Sequence, residues 1–424
     1  MMRPASQEGR CNGSSKLKIL WFINLDYRAG MRHGGNLRYF NYSNELSSRG
    51  HEVYFVVNKQ KSDTAEEKRR FLDDLKDQNT IAGYFEIDYW YPRRRGRLAS
   101  LAGHPTLLNR LLQKYQEATK DNVKEIIARH GINLCIFSDR SLLFLLPELR
   151  SSVRTIIDWV DSFVLYRIRE TLASLKRRDL ASIPVSLRYL VDAFVQESHY
   201  GRRCDANIVV SPVDKSYLDI INRVPEKNKV LLNGVKTKEN GAVRQKIKNR
   251  LIFTGNMDFP PNYEAAIWFI DNVLPILLQS RREIELVVAG ANPVEKLLMR
   301  AGENVKVTGY VEDIQREIAE SELYVAPLVS GGGFKNKVVE ALASGTFVIA
   351  TSMAVEFLER DLRELLLIAD SPGEMAALIL SYLDDPGKYD ARLERLKKII
   401  GEEFRWEHRT EELINIAMES FQCD

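Results

Sequence analysis

Pro327-Leu-Val-Ser-Gly-Gly-Gly-Phe-Lys-Asn-Lys-Val-Val-Glu-Ala-Leu-Ala-Ser-Gly345 follows the apolar run Leu323 to Ala326. An apolar strand that breaks at three glycines and resumes with helical spacing is a strand–turn–helix unit, the repeat of parallel α/β sheets. Glycine lets backbone N–H groups approach a ligand closely, and a helix N-terminus presents unpaired donors to an anion. Lys335 and Lys337 stand in the first turn of that helix, where the macrodipole favours acids instead. Two cations there are tolerated best with an anion between them. The segment reads as a phosphate site, with Glu340 one turn further on.

Similar units fill the chain on both sides. Lys18 to Asn24, a helical pattern over Asn36 to Ser48, and Glu52 to Val57 form a βαβ opening. Further strands are expected at Tyr84 to Asp88, Leu134 to Phe137, Thr155 to Ile157, Ala206 to Val210 and Lys229 to Leu232. Asn233-Gly234 makes a turn, and the polar run Lys236 to Lys248 reads as a linker. The pattern restarts at Leu251 to Phe253, with a helix from Pro260-Pro261 and strands at Glu285 to Ala289, Val305 to Val307, Leu323 to Ala326, Phe347 to Ala350 and Leu365 to Ile368. The expected fold is α/β, two doubly wound domains facing a cleft: 16–235, a linker 236–250, 251–403, and a terminal segment 404–424 that starts a helix at Phe404. Such sheets bind ligands at the carboxyl ends of their strands, so the cleft is the expected site.

Composition narrows the class. A chain of 424 residues exceeds one ordinary core. A charge balance of 61 basic to 58 acidic residues argues against a nucleic-acid partner. Cys11, Cys135, Cys204 and Cys423 lie far apart without metal or disulfide spacing and read as reduced thiols, so no metal site is expected. No apolar run spans a bilayer. Residues 1–15 are polar and read as a disordered leader without a signal-peptide core, and the chain is expected to be cytoplasmic. Two stretches interrupt the α/β order. Asp88 to Leu101 carries Trp90, Tyr91 and Arg93-Arg94-Arg95-Gly96-Arg97. Phe163 to Arg203 is a helical insert with Arg167, Arg169, Lys176, Arg177 and Arg178. Basic residues beside aromatics suit an anionic membrane face or acceptor, and equally a solvated surface.

Leu251 to Gly345 resembles the retaining GT-B glycosyltransferases, in the group 1 or family-four-like set. Three pieces carry the resemblance. One is His33-Gly34-Gly35-Asn36 with Leu46-Ser-Ser-Arg-Gly-His-Glu-Val53. The others are Phe253-Thr-Gly-Asn-Met-Asp-Phe-Pro-Pro-Asn262 and the glycine–lysine–glutamate segment itself. The N-terminal half matches more loosely, although Asp158-Trp-Val-Asp-Ser162 and Val210-Ser-Pro-Val-Asp214 look like a subgroup linked to exopolysaccharide synthesis. The resemblance implies a nucleoside diphosphate sugar donor as substrate, no cofactor and no obligatory metal. It implies a lipid-linked or polysaccharide acceptor, and a peripheral position at the inner membrane face is compatible with it.

Residue by residue, the resemblance assigns Lys337 to the leaving diphosphate and Glu340 to the ribose hydroxyls. A first glutamate that touches the donor sugar in many members falls here on Gly332, so backbone N–H groups of Gly332, Gly333 and Phe334 are left for that task. An Arg and a Lys that many members carry after Gly255 fall on Asn256 and Asn262. Neutralisation then rests on Lys337, with Lys335 as helper or solvated neighbour. Gly34 and Gly35 are expected to offer backbone donors from the other domain, and Thr308, Gly309, Tyr310 and Val311 to hold the base. Asp158 and Asp161 are candidates to activate the acceptor, and as readily caps of the following helix. Glu356 resembles the end of a loop that fixes a donor hydroxyl, or a helix-start acid. His51 reads as structural. Alternatives from other classes are a nucleotide-sugar epimerase of the same fold and a noncatalytic nucleotide-sugar binding protein. A nicotinamide dehydrogenase is disfavoured by the missing Gly-x-Gly-x-x-Gly after the first strand.

Overall fold

The computed structural model describes residues 16–25, 34–59, 65–87, 105–176, 183–235 and 245–422. The leader, the stretch Asp88 to Leu101, His33 and most of the expected linker lie outside these residues.

Two parallel sheets organise the chain. The first holds β1 (Lys18–Phe22), β2 (Glu52–Asn58), β3 (Gly83–Ile87), β4 (Leu134–Phe137), β5 (Arg154–Val160), β6 (Ala206–Val209) and β7 (Asn228–Val230), in the order β3-β2-β1-β4-β5-β6-β7. The second holds β8 (Ile247–Thr254), β9 (Glu285–Ala289), β10 (Val305–Gly309), β11 (Ser321–Ala326), β12 (Phe347–Ala350) and β13 (Leu367–Ile368), in the order β10-β9-β8-β11-β12-β13. Winding reverses between β1 and β4 and again between β8 and β11. These are the switch points where such sheets open a crevice.

Burial on both faces explains the uninterrupted apolar strands. Along β1, Ile19 and Trp21 pack into one hydrophobic cluster while Leu20 and Phe22 pack into another on the opposite face. The second domain has one contiguous core built on β8, β9, β11 and β12.

Six helices bear on the cleft and its margins: α1 (Gly34–Ser48), α2 (Phe163–Lys176), α3 (Ile183–Gly201), α4 (Pro212–Asn222), α5 (Asn336–Ala343) and α6 (Trp406–Gln422). The expected single insert is a hairpin of α2 and α3. The terminal helix α6 leaves the second domain and packs on the first. Its Trp406 meets Tyr42 edge-on at 5.1 Å, and Leu413, Ile416 and Ala417 join the cluster around Trp21.

β8 starts at Ile247, four residues before the expected strand and inside the polar run read as linker. Its polar start is held by partners remote in sequence. Lys246 donates to the Ser321 carbonyl at 2.9 Å and to Thr346 Oγ1 at 2.7 Å, and the Asn249 N–H bonds to Glu322. Charge near a strand end hides its pairing from an apolar pattern.

Candidate active site

Glycine marks the carboxyl edge of the second sheet. Gly255 follows β8, Gly290 follows β9, Gly309 ends β10, and Gly331 to Gly333 follow β11. At Gly290 the backbone approach is close enough to require it, since a Cβ there would lie 1.7 Å from the Gly255 carbonyl oxygen. The edge is thus a shallow trough floored by main chain, ending at the N-terminus of α5.

The triple-glycine loop is held by its carbonyls. Arg169 of α2 donates to the Gly331 oxygen at 2.9 Å, and Lys335 Nζ donates to the oxygens of Gly332 (2.5 Å) and Gly333 (2.8 Å). Among the described residues, the N–H groups of Gly331 to Phe334 donate no hydrogen bond within the protein. A run of oriented, uncommitted N–H groups is an anion cradle. The Phe334 ring anchors the loop from below, 4.5 Å from Phe357. Lys335 is only 8% exposed, which overturns its reading as a solvated neighbour. It is the strut that ties the Gly332 and Gly333 carbonyls together.

Lys337 lies beside this cradle. Its ammonium donates to Asn262 Oδ1 at 2.5 Å and sits 4.7 Å from the Phe253 ring centre. Burial, then the neighbouring Lys335, push it down to about 7, with Glu340 opposing. Burial likewise raises Glu340, against the pull of Lys337. Asn262 also donates to the Asn256 carbonyl at 2.9 Å, so both asparagines hold the loop after β8 and present Lys337. On the same edge, Gly309 accepts from the Gly290 N–H at 2.9 Å, which leaves the Tyr310 side chain exposed beyond the end of β10. Thr308 is on that outermost strand, and Val311 lies two residues beyond its end. Gly34 and Gly35 begin α1, the helix that follows β1 of the opposing domain.

The two aspartates part company. Asp158 is buried and accepts from Arg38 at 2.8 and 3.2 Å. Arg38 also donates to the Leu231 carbonyl at 3.1 Å and Asn233 Oδ1 at 2.9 Å. Asn233 in turn reaches Asn336, the first residue of α5, at 3.2 Å. Asp158 is therefore the anchor of a cross-domain relay, not an open carboxylate. Neither aspartate caps α2. Ser162 Oγ accepts from the Leu165 N–H at 3.3 Å, and the Glu197 carboxylate accepts from Phe163 (2.5 Å) and Val164 (3.3 Å).

Asp161 faces the glycine loop. Val160, at φ 63°, holds a left-handed conformation costly for a β-branched residue, and the pairing of β5 with β6 shifts register there. That kink aims Asp161 across the cleft. Burial and the neighbouring Asp214 carry its carboxyl up to about 7, against the pull of Lys335. Gly333, at φ 68°, would place a Cβ 2.0 Å from Asp161 Oδ1. Gly333→Ala is expected to cost about 1–2 kcal/mol of stability from the left-handed backbone and to displace the loop. A melting temperature matching the parent would contradict the close approach.

Sequence reasoning missed the bridge that crosses the cleft. Arg169 is bidentate to Glu356 at 2.6 and 2.7 Å, so the acid read as a donor-hydroxyl contact or helix start is paired with the opposite domain. Only the basic character of the insert hinted at it. Among the described residues no group of His, Cys, Asp and Glu has the form of a metal site.

Comparison with known proteins bears on this geometry. Residues 248–385, a third of the chain, match the family model described as Glycosyl transferases group 1. That stretch is similar to the group 1 glycosyl transferases. A Klebsiella pneumoniae protein known as an uncharacterized 44.6 kDa protein in cps region is 26% identical over 141 residues, 31% of this chain and 36% of that one. A phosphatidyl-myo-inositol mannosyltransferase of Mycolicibacterium smegmatis is 27% identical over 143 residues, 32% of this chain and 36% of that protein. The chain thus matches little more than a third of the length of these curated relatives. The Anabaena HepE crystal structure with UDP and glucose superposes with TM-score 0.60 at 15% identity, covering 96% of this chain and 100% of that one. The whole chain has the GT-B fold.

Proposed function

We propose that this GT-B protein is a retaining, metal-independent hexosyltransferase. It takes a sugar from a nucleoside diphosphate sugar held by the second domain to a hydroxyl of a lipid-linked or polysaccharide acceptor. The observation that carries the reading is the pairing of a free N–H run over Gly331 to Phe334 with the ammonium of Lys337. The names of the relatives, a mannosyltransferase and a UDP-bound structure, support a nucleotide-sugar donor.

The chemistry follows from those groups. As the bond between the anomeric carbon and the diphosphate oxygen lengthens, negative charge grows on the leaving phosphate. Preorganised N–H donors and a cation stabilise it without reorganising at that moment. The acceptor oxygen bonds the anomeric carbon on the face the diphosphate leaves, and its proton passes to the departing phosphate oxygen. Glu340, one turn into α5, takes the ribose hydroxyls, and the exposed edge at Thr308 to Val311 receives the base. Such a donor places the reaction in the cytoplasm, and at the inner membrane face when the acceptor is lipid-borne.

A thermal-shift screen against UDP, GDP, ADP and dTDP tests the donor half. A true ligand at about 100 times its Kd stabilises the folded state by roughly 2.7 kcal/mol, and Lys337→Ala should remove most of that shift. No response to any nucleotide, or an undiminished shift in the variant, would defeat the proposal. The absence of a carboxylate at Gly332 favours one second reading, a binding protein without turnover. Tight donor binding with neither hydrolysis nor transfer would select it.

A further inference from the structure

The α2–α3 hairpin is amphipathic the wrong way round. A surface helix ordinarily buries its apolar stripe and exposes its polar face. In α3 the buried positions are Ser186, Ala193, Glu197 and Gly201, while Leu187, Val191 and Phe194 are 48, 62 and 51% exposed. Those three fall on one helical face, and Arg188 is the one Asp, Glu, Lys or Arg among the exposed positions of α3. Leu172 and Leu175, the exposed described residues of α2, are 53 and 46% exposed beside it. Scattered apolar residues on a surface mean little, but a contiguous apolar face of this kind marks an interaction site.

The stripe is held outward. Glu197 receives two N–H groups of α2 and the Ser162 hydroxyl, at 3.1 Å, from inside the hairpin. Rolling α3 to bury Leu187, Val191 and Phe194 would pull that carboxylate out of its cap. Among the exposed described positions of the two helices, the one Asp, Glu, Lys or Arg is a cation. Arg188 is that charge, and in sequence the two helices are joined by a stretch that opens Arg177-Arg178-Asp179. An apolar face that carries a cation and no exposed acid is complementary to an anionic bilayer surface. Among the described residues no helix is long and apolar enough to cross a membrane, so the fitting geometry is a helix lying in the interface.

The hairpin also leads to the cleft. Arg169, bonded to the glycine loop and to Glu356, lies on α2 three and six residues before Leu172 and Leu175, about 4.5 and 9 Å along the axis.

We propose that the α2–α3 hairpin seats the protein on an anionic membrane through Leu172, Leu187, Val191 and Phe194, bringing the cleft to the bilayer surface where a lipid-borne acceptor presents its hydroxyl. The acceptor clause rests on the transferase reading, whereas the docking does not.

Co-sedimentation of the full chain with phosphatidylcholine vesicles, with and without phosphatidylglycerol, tests it. Binding is expected to the phosphatidylglycerol vesicles and to weaken with salt. Val191→Asp with Phe194→Asp should lower the partition coefficient roughly 100-fold, with the nucleotide thermal shift intact. If the aspartates unfold the hairpin, Leu187→Ser with Val191→Ser carries the same readout. Absence of vesicle binding by the parent protein would overturn the docking. So would a parent dimer that the aspartates convert to monomer while vesicle binding is unchanged, which would give the face to a second copy of the chain. Vesicle binding without any nucleotide response would keep the docking and remove the transferase reading.

Discussion

Replacing Lys337 with alanine is expected to lower sugar transfer on the order of 10²–10³-fold, about 3–4 kcal/mol of barrier, the usual consequence of removing one preorganised donor to a developing oxyanion. The size follows from the shortage of substitutes. Asn256 and Asn262 stand where related enzymes are expected to carry cations, and the other lysine of the turn, Lys335, is committed to two glycine carbonyls. Folding should survive the change, because the buried ammonium is itself unfavourable without an anion.

The same burial gives a proton signature. The Lys337 ammonium falls from its ordinary 10.5 to about 7 in the folded protein without a donor. Between those values the unfolded chain holds a proton that the folded chain has released. Stability of the donor-free protein therefore rises as pH increases through that window. A diphosphate restores the charged form, so nucleotide binding above neutral pH takes up a proton. Calorimetry in two buffers of different ionisation enthalpy measures that uptake, and Lys337→Met should abolish it and flatten the pH slope in part, since Lys246 is also depressed by burial, to about 8. Binding with no proton exchange at pH 8 would show that this lysine does not meet the phosphates.

Arg38→Ala is expected to cost about 3–5 kcal/mol of stability, because it strands the buried Asp158 carboxylate without its partner. Denaturant unfolding followed by fluorescence would measure it. The loss reaches the candidate site through Asn233 and Asn336, so the remaining folded protein should also bind nucleotide less tightly. Asp158→Asn separates an anchoring role from a catalytic one. An anchor gives a lower unfolding midpoint and a rate per folded molecule within a few-fold of the parent. A rate that collapses with the midpoint unchanged would return Asp158 to the chemistry. The arrangement leaves Asp161 as the carboxylate that faces the glycine loop from the first domain.

Much of the fold was legible locally. The apolar runs at Lys18 to Asn24 and Leu323 to Ala326 read as buried parallel strands because both faces are covered by helices. The loop from Gly331 to Lys337 was legible for a similar reason, since glycine freedom and helical spacing act over a few residues. β8 was read short because Lys246 and Asn249 find partners about 70 to 100 residues away. Lys335 was misjudged as solvated because spacing shows a side chain's place on a helix but not whether a carbonyl waits at its tip.

The order of residues alone determined two doubly wound sheets, a glycine turn after a central strand, and a lysine and glutamate one turn apart behind it. Periodicity and backbone freedom are properties of short stretches. Tertiary structure alone decided which charges meet: Arg38 with Asp158, 120 residues apart, and Arg169 with Glu356, 187 apart. An ion pair depends on the distance and burial of two side chains that packing brings together, and the spacing of either residue along the chain carries no trace of its partner.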